Sequence, residues 1–441
     1  MEAIFLPEDS DDMMIAPPAF FRPQPSSLED LRIPDVFLAQ LALKHAFFID
    51  GFTLRGLVDR LKVNLGIVSR LVDYLVKDKS LETRGGDPCQ DKLNFLGLGT
   101  RYGLTAAGKQ RGAKLLEYDS YVGPVPVTLE EYWEQVSMQS VQLAEFGMDQ
   151  LEKAFGGLVI SHGLLEQIGP AVMSGKSLFL YGPPGNGKTT IALRVGKLMD
   201  DAILIPYALY VEGHVIPVFD EVNHHPIKTG ESKNGSGASD YRWVLCHRPC
   251  VVVGGEMNLG MLDLTYDAKL KFYGAPLQLK ANNGIFVMDD FGRQQISPQV
   301  LLNRWIMPLE NQQDFLYLCT GQKFAIPFNQ LLIFATNLDP ATLIDPAFFR
   351  RIRAKVKIGN PDRLQFKEIF ALVCQHYRIE FQEEVVEHLL TNYYDKTNRE
   401  LSACHPRDLV EQVLDFYRFN KLPPVLSNEA IDRVCQVYFV Q

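Results

Sequence analysis

Residues able to bind a triphosphate are concentrated in one run, GPPGNGKTT at 182–190. The run fits the pattern G-x-x-x-x-G-K-[ST], with Gly182, Gly187, Lys188 and Thr189 at the required positions. Glycines let backbone N–H groups face a β-phosphate, and the start of a following helix favours the anion. Lys188 can reach the β- and γ-phosphate oxygens, and the Thr189 hydroxyl can hold Mg²⁺. The predicted phosphate-binding residues are Gly182, Pro183, Pro184, Gly185, Asn186, Gly187, Lys188, Thr189 and Thr190.

The sequence on either side places this run between a strand and a helix. The apolar run SLFLY (177–181) precedes it, and IALRVGKLM (191–199), which is compatible with a helix, follows it. A strand, a glycine turn and a helix start are the context that makes the pattern credible, whereas a Gly/Pro-rich surface turn would match by accident. The sequence therefore predicts that the chain binds a nucleoside triphosphate.

A pair of carboxylates lies further along the chain, in GIFVMDDFGR (284–293). An apolar run followed by Asp289 and Asp290 is typical of the carboxyl end of a buried strand, where ligands collect in open α/β sheets. Asp289 is predicted to hold Mg²⁺ through water, and Asp290 to orient or deprotonate an attacking water. The alternative is a strand end with two solvated aspartates.

Three further polar groups could complete such a site. Asn337 ends the apolar run LLIFATN (331–337) and could hydrogen-bond the water or the γ-phosphate, or simply cap the strand. Arg350 and Arg351 could reach the γ-phosphate of a neighbouring subunit as an arginine finger, or form a solvated helix end. Arg407 lies in the first turn of a predicted helix, where a cation opposes the helix dipole, which is mild evidence for a role elsewhere.

In this order and at these spacings, the five elements resemble those of AAA+ ATPases: Walker A, Walker B, sensor 1, arginine finger and sensor 2. The runs KFYGAPLQLKANNGIFVMDD and LLNRWIMPLE are similar to the MoxR-like and related clades. The resemblance implies an α/β fold with a parallel P-loop sheet and a helical lid. It also implies ATP and Mg²⁺ as cofactors, and ATP hydrolysis in a homo-oligomeric ring, commonly a hexamer, that remodels a macromolecular partner.

The resemblance also assigns roles by position. Lys188 and Thr189 would bind phosphate and Mg²⁺, with Asp289 as the Walker B acid, Asn337 as sensor 1, Arg407 as sensor 2, and Arg350 or Arg351 as the finger. Val159 and Ile160 occupy the region where the family packs adenine, although core packing is an equal alternative. Arg293 and Arg304 are further candidates to act in trans, each weighed against an ordinary salt bridge.

One residue departs from the family pattern. The family usually has Glu where this chain has Asp290. Aspartate is one methylene shorter, and a misplacement of about 1 Å can cost about 10²-fold in rate. Helicase-loader branches also carry paired aspartates at this point, so the sequence predicts hydrolysis that is slow rather than absent.

Residues 28–119 read as three helices followed by a β-ribbon, which resembles a winged helix-turn-helix through YGLTAAGKQRG (102–112). This region carries 14 basic and 12 acidic residues, a balance of +2. DNA-binding modules usually show a clearer basic surface, because neutralising phosphates supplies much of their affinity. Contact with DNA and docking of a protein client both stay open.

The remaining predictions concern organisation and location. The acidic, proline-rich residues 1–27 are predicted to be disordered, with a linker helix in 120–150, the α/β ATPase domain in 151–360 and the helical lid in 361–441. Periodicity favours one helix over 129–155. Between the glycine loop and residue 359, strands and helices are predicted to alternate, as expected of a parallel sheet. The net charge of −9, seven scattered cysteines and the lack of a signal peptide or membrane-length apolar run predict a cytoplasmic protein without a membrane partner.

Overall fold

The computed structural model describes residues 22–86, 100–143, 145–199, 201–227, 239–343 and 349–439. Of the segment 1–27 that is predicted to be disordered, residues 1–21 lie outside the described residues. Residues 22–27 are described, and the Arg22 side chain donates to the Gln135 side chain at 3.0 Å. The predicted flexible insert at 228–238 and the predicted helix start at 345–348 also lie outside the described residues. Among the described residues, no helix has the length and apolar character required to cross a membrane.

The N-terminal region contains three helices, a small antiparallel sheet and a closing helix. Their bounds are α1 Asp35–Phe47, β1 Phe52–Thr53, α2 Leu54–Leu61, α3 Leu65–Lys77, β2 Leu81–Gly86, β3 Thr100–Leu104 and α4 Ala106–Tyr118, with sheet order β1-β3-β2. The Thr53 hydroxyl caps α2 by accepting from the Gly56 N–H, and Asn64 caps α3. This order of elements is the one expected from the sequence; the winged-helix assignment stays a prediction.

The segment that connects this region to the rest of the chain is β4 (Val127–Thr128), followed by α5 (Leu129–Met138) and α6 (Met148–Ala154). The single helix predicted over 129–155 is wrong, because hydrogen bonds that involve side chains hold the segment between α5 and α6 in a non-helical path. The Asn329 side-chain oxygen accepts from the Val141 N–H at 3.0 Å. The Gln139 side chain donates to the Leu204 carbonyl at 2.9 Å and accepts from its N–H at 3.0 Å.

After α7 (His162–Met173), β5 (Ser177–Tyr181) and α8 (Lys188–Gly196), the chain forms a set of short antiparallel strands. These are β6 Ala202–Pro206, β7 Ala208–Val211, β8 His214–Pro217 and β9 Trp243–His247, in which β6 pairs with β9 and β7 with β8. The predicted alternation of parallel strands and helices is wrong here. Glu212 and Gly213 join β7 to β8 with φ of 49° and 84°, and a two-residue turn with two positive φ values can only reverse the chain.

The central sheet is parallel and five-stranded. Along the chain after β9 come β10 Cys250–Val253, β11 Thr265–Asp267, β12 Phe272–Gly274, α9 Leu277–Lys280, β13 Ile285–Met288, α10 Pro298–Asn311, β14 Gln313–Tyr317, β15 Lys323–Pro327, β16 Leu331–Thr336, α11 Pro340–Leu343 and β17 Ala354–Lys357. The sheet order is β10-β13-β16-β5-β17, whereas β11–β12 and β14–β15 are separate antiparallel pairs. With a glycine loop after β5, this sheet confirms the predicted α/β fold with a parallel P-loop sheet.

The C-terminal region is helical and has its own hydrophobic core. Its elements are α12 Arg363–Tyr377, α13 Glu383–Leu389, a π-helical turn Leu390–Asp395, α14 His405–Phe419 and α15 Asn428–Tyr438. Phe366, Phe370 and Val413 are fully or almost fully buried among these helices. The loop that precedes α14 reaches the glycine loop after β5, so the helical region covers one side of the sheet edge.

Candidate nucleotide site

A cavity of about 460 Å³ lies at the carboxyl edge of the parallel sheet. Because β5, β13 and β16 are parallel, the residues that follow them meet at this edge. The predicted residues that line the cavity are Val159, Ile160, Gly185, Asn186, Gly187, Lys188, Thr189, Thr190, Asp289, Asp290, Asn337 and Arg407. The predicted residues that do not line the cavity are Gly182, Pro183 and Pro184 at the start of the glycine loop and the candidate finger residues Arg350 and Arg351.

The glycines of the loop occupy positions that a side chain would not fit. Gly182 has φ of 141°, and a Cβ there would lie 2.1 Å from the Ile358 carbonyl oxygen. Gly185 has φ of 78°, and its added Cβ would lie 2.5 Å from the Ser402 hydroxyl. Backbone conformation and close approach both demand glycine, so the loop can turn its N–H groups inward.

Lys188 is buried, and its ammonium is held inside the loop. Its Nζ donates to the carbonyl oxygens of Gly182 at 3.0 Å and Pro183 at 2.7 Å. Burial lowers the pKa of the ammonium, while the nearby carboxylates of Asp289 and Asp290 act in the opposite direction. The cation thus lies against the backbone of the loop, where phosphate oxygens would be stronger acceptors than carbonyls.

Thr189 and Asp289 form a direct pair across the cavity. The Thr189 hydroxyl lies 2.8 Å and 2.9 Å from the two carboxylate oxygens of Asp289. A hydroxyl and a carboxylate are the hard oxygen ligands that Mg²⁺ takes beside substrate phosphates. The residues present therefore fit the predicted metal.

Asp290 is exposed and has a strained backbone. Its φ is 47°, in the left-handed region, which costs most residues about 1–2 kcal/mol and which aspartate tolerates better than most. Its Oδ1 accepts a hydrogen bond from the Asn337 amide at 3.0 Å. Asn337, predicted either to touch the water or to cap its strand, thus contacts the second carboxylate directly.

Arg407 lies in the first turn of α14, and its guanidinium faces the cavity. It is paired with the neighbouring Asp408 at 3.1 Å and remains 38% exposed. Val159 and Ile160 also line the cavity, together with Ile369 and other apolar side chains of α12. The cavity lining therefore includes both charged and apolar side chains.

The candidate trans-acting arginines lie away from the cavity lining. Arg350 is exposed and has no hydrogen-bond or ion-pair partner among the described residues. The Arg351 Nε lies 2.6 Å from the Glu310 carboxylate. Arg304 makes a bidentate pair with Asp314 at 2.5 Å and 2.9 Å, which is the ordinary salt bridge that the sequence left open. The finger role of Arg350 or Arg351 stays a prediction, because it concerns a neighbouring subunit.

Sequence reasoning missed the contacts that tie the loop to the helical region. The Asn186 side-chain oxygen accepts from the Ala403 N–H at 3.0 Å, and its amide donates to the Asn360 side chain at 2.7 Å. Asn186 occupies a variable position of the motif, and nothing in the sequence marks Asn360 or Ala403 as its partners. The buried Asn186 amide therefore links the loop to the helical cover, and the Ser402 hydroxyl adds a donation to the Pro184 carbonyl at 3.4 Å.

Comparisons with known proteins give only a partial family match and distant structural likenesses. A family model described as "Domain of unknown function (DUF8689)" matches residues 362–437. No curated protein matches the chain. Among solved structures, the chain is similar to RuvB of Thermotoga maritima, a Holliday junction branch migration motor, with 14% identity over 67% of this chain and 70% of that chain and a TM-score of 0.35. It is also similar to NtrX from Brucella abortus in complex with ADP, with 12% identity over 64% of this chain and 56% of that chain and a TM-score of 0.39. Likenesses this distant carry no argument about activity, which depends on the residues of the cavity.

Proposed function

We propose that this protein is an AAA+ ATPase, related to the MoxR-like clades, that hydrolyses ATP. The observation that carries the proposal is the convergence of Lys188, the Thr189–Asp289 pair and the Asp290–Asn337 pair at one sheet edge. Separate strands supply these groups, and the helical region covers them. Such a set binds phosphates, neutralises charge and positions a water, which are the tasks of phosphoryl transfer to water.

The charged and the apolar residues of the cavity lining suit the phosphates and the base of ATP, respectively. The loop N–H groups and Lys188 would hold the β- and γ-phosphates, and Thr189 with Asp289 would hold Mg²⁺, which neutralises charge on those phosphates. Val159 and Ile160, with Ile369 of α12, would pack against the base. Arg407 would reach the γ-phosphate if its weak surface pair with Asp408 opened, since exposed ion pairs contribute about 0–1 kcal/mol.

Asp290 is the group best placed to act on the attacking water. Asn337 occupies Oδ1 of its carboxylate, which leaves Oδ2 free to accept from a water. As the water attacks the γ-phosphorus, its proton would pass to this carboxylate while the bond to the β-phosphate oxygen breaks. Aspartate reaches less far than glutamate, so we expect slow turnover.

The proposal extends to assembly and partners. Arg350 or Arg351 would act on the γ-phosphate of an adjacent subunit in a homo-oligomeric ring, and residues 28–119 would recruit a protein client. DNA is the alternative partner, as for a helicase loader or an ATP-dependent transcription regulator. Hydrolysis stimulated by DNA, with steep salt dependence, would favour that alternative.

Nucleotide binding and phosphate release by the wild type, Lys188→Ala and Asp290→Asn test the proposal. We expect Lys188→Ala to lose binding, and Asp290→Asn to bind ATP while its phosphate release falls by about 10²-fold. Wild-type protein that binds no ATP would contradict the nucleotide site itself.

A second function is an ATP-gated assembly switch that does not depend on hydrolysis. The link from Asn186 to Ala403 favours it, because occupancy of the loop could then set the position of the helical cover without chemistry. Phosphate release that is equally low in the wild type and in Asp290→Asn, with intact binding in both, would support the switch over the enzyme.

A further inference from the structure

The turn that follows β13 contains two residues with positive φ. Asp290 has φ of 47° and Gly292 has φ of 100°. A Cβ on Gly292 would lie 2.7 Å from the Leu343 side chain, so the turn is also tightly packed. Because Asp290 is not glycine, its conformation requires support from surrounding groups.

One side chain supplies much of that support. The Gln294 amide nitrogen donates to the carbonyl oxygens of Asp289 at 3.0 Å and Asp290 at 3.3 Å. Its amide oxygen accepts from the Gly292 N–H at 2.8 Å. Both the nitrogen and the oxygen of the Gln294 amide therefore form hydrogen bonds with the backbone of the turn.

Strand β16 holds the middle of the same turn. The Phe291 N–H donates to the Ala335 carbonyl at 2.7 Å, and the Thr336 hydroxyl donates to the Phe291 carbonyl at 2.7 Å. Asn337, which bonds the Asp290 carboxylate, follows directly on this strand. The position of Asp290 relative to Asn337 thus depends on β16 at the centre of the turn and on Gln294 at its flanks.

We propose that Gln294 is a positioning residue for hydrolysis: it holds the 289–292 turn in the conformation that presents the Asp290 carboxylate to Asn337 and to water. This rests on the proposed ATPase function. Gln294 does not touch the substrate; it acts through Asp290. Gln294 compensates for the short Asp290 side chain by fixing the position of the Asp290 backbone.

Gln294→Met tests the role, because methionine has a similar length and cannot make the three hydrogen bonds. We expect kcat to fall about tenfold or more, since small misplacements of a reacting group are costly, while KM and the dissociation constant for ATP stay within about twofold. Gln299→Met is the matched control, since Gln299 is exposed on α10 and, among the described residues, its amide donates only to the Leu343 carbonyl at 3.3 Å. Gln299→Met should keep the wild-type kcat.

A double-mutant cycle separates positioning from general destabilisation. In an Asp290→Asn background, Gln294→Met should cause little further loss of kcat, because the group through which it acts is already gone. Multiplicative losses in the double variant, or an unchanged kcat in Gln294→Met, would overturn the inference. Absence of turnover in the wild type despite ATP binding would instead contradict the proposed function.

Gln294→Glu provides a second variant if Gln294→Met fails to fold. It keeps an acceptor for the Gly292 N–H but points a negative oxygen at two carbonyls, so kcat should again fall with unchanged ATP affinity. A kcat equal to that of the wild type in folded Gln294→Glu would contradict the role of the amide donor.

Discussion

The loop at 182–190 and the turn at 289–294 face the same cavity and use unusual backbone conformations in different ways. The loop places glycines at positive φ, at 182, 185 and 187, and exposes its N–H groups. The turn places Asp290 at positive φ and supports it with the Gln294 side chain. The glycine positions of the loop act through their backbone and need no side chain. A segment that must present a carboxylate cannot use glycine at that position, so neighbouring groups must hold it in place.

The largest effect should come from adding a methyl group to the loop. Gly182→Ala places a Cβ 2.1 Å from the Ile358 carbonyl and strains a positive φ, so we expect a loss of about 3 kcal/mol in unfolding free energy. Gly163→Ala is the control, because its Cβ would meet nothing within 4 Å and it lies in α7. Denaturant unfolding of both variants measures the difference. Equal stability would show that the loop does not need glycine at 182.

The next effect concerns Asn186, a loop side chain that contacts the helical region. Asn186→Ala removes the partner of the Ala403 N–H and of the Asn360 side-chain oxygen, so the helical cover should be held less tightly, by about 1–2 kcal/mol. Faster hydrogen exchange of residues 401–404 would report this. Asn420→Ala, which removes a bond to the Phe416 carbonyl within the same helical region, should leave that exchange unchanged.

A smaller effect should separate strain from chemistry in the turn. Asp290→Gly and Asp290→Ala both remove the carboxylate, but only glycine adopts a φ of 47° without cost. We expect both variants to lose turnover equally, and Asp290→Gly to be more stable than Asp290→Ala by about 1 kcal/mol. Identical thermal stability of the two variants would argue that the turn relaxes and stores no strain.

The smallest effect is on the pH dependence of binding. Burial lowers the pKa of Lys188, so in the free protein its charge is lost at a lower pH than for an ordinary lysine. Bound triphosphate favours the charged form, so ATP affinity should weaken as pH rises through that lowered pKa. Titration calorimetry across this range should show the decline, and Lys188→Arg should flatten it because a guanidinium stays charged. A flat profile in the wild type would contradict the assignment.

The elements that could be predicted from the sequence are those whose chemistry is local. The loop is contiguous, and Asp289 and Asn337 each end an apolar strand, so the parallel sheet brings them together. Contacts between distant segments could not be predicted: Gln139 ends α5 through Leu204, and Asn186 reaches Ala403. No sequence pattern indicates the role of Gln294, because its hydrogen bonds to the turn form only when the turn has folded.

The antiparallel strands illustrate the same limit. Strand β6 pairs with β9 across a long separation in the chain, and apolar runs of this length read equally well as parallel strands. A nearby partner could not be predicted either. Asp314 lies only ten residues from Arg304, and nothing in the sequence indicates that the two form an ion pair. Side-chain partners therefore had to come from the structure.

The equilibrium binding of ATP with and without Mg²⁺, in the wild type and in Asp289→Asn, tests the central claim most directly. If the loop and the carboxylates form one site, wild-type affinity should rise when Mg²⁺ is added. Asp289→Asn should keep the metal-free affinity and lose the increase, since its Thr189 partner alone holds Mg²⁺ poorly. Wild-type protein that binds no ATP, or an Asp289→Asn variant with an unchanged response to Mg²⁺, would contradict the account.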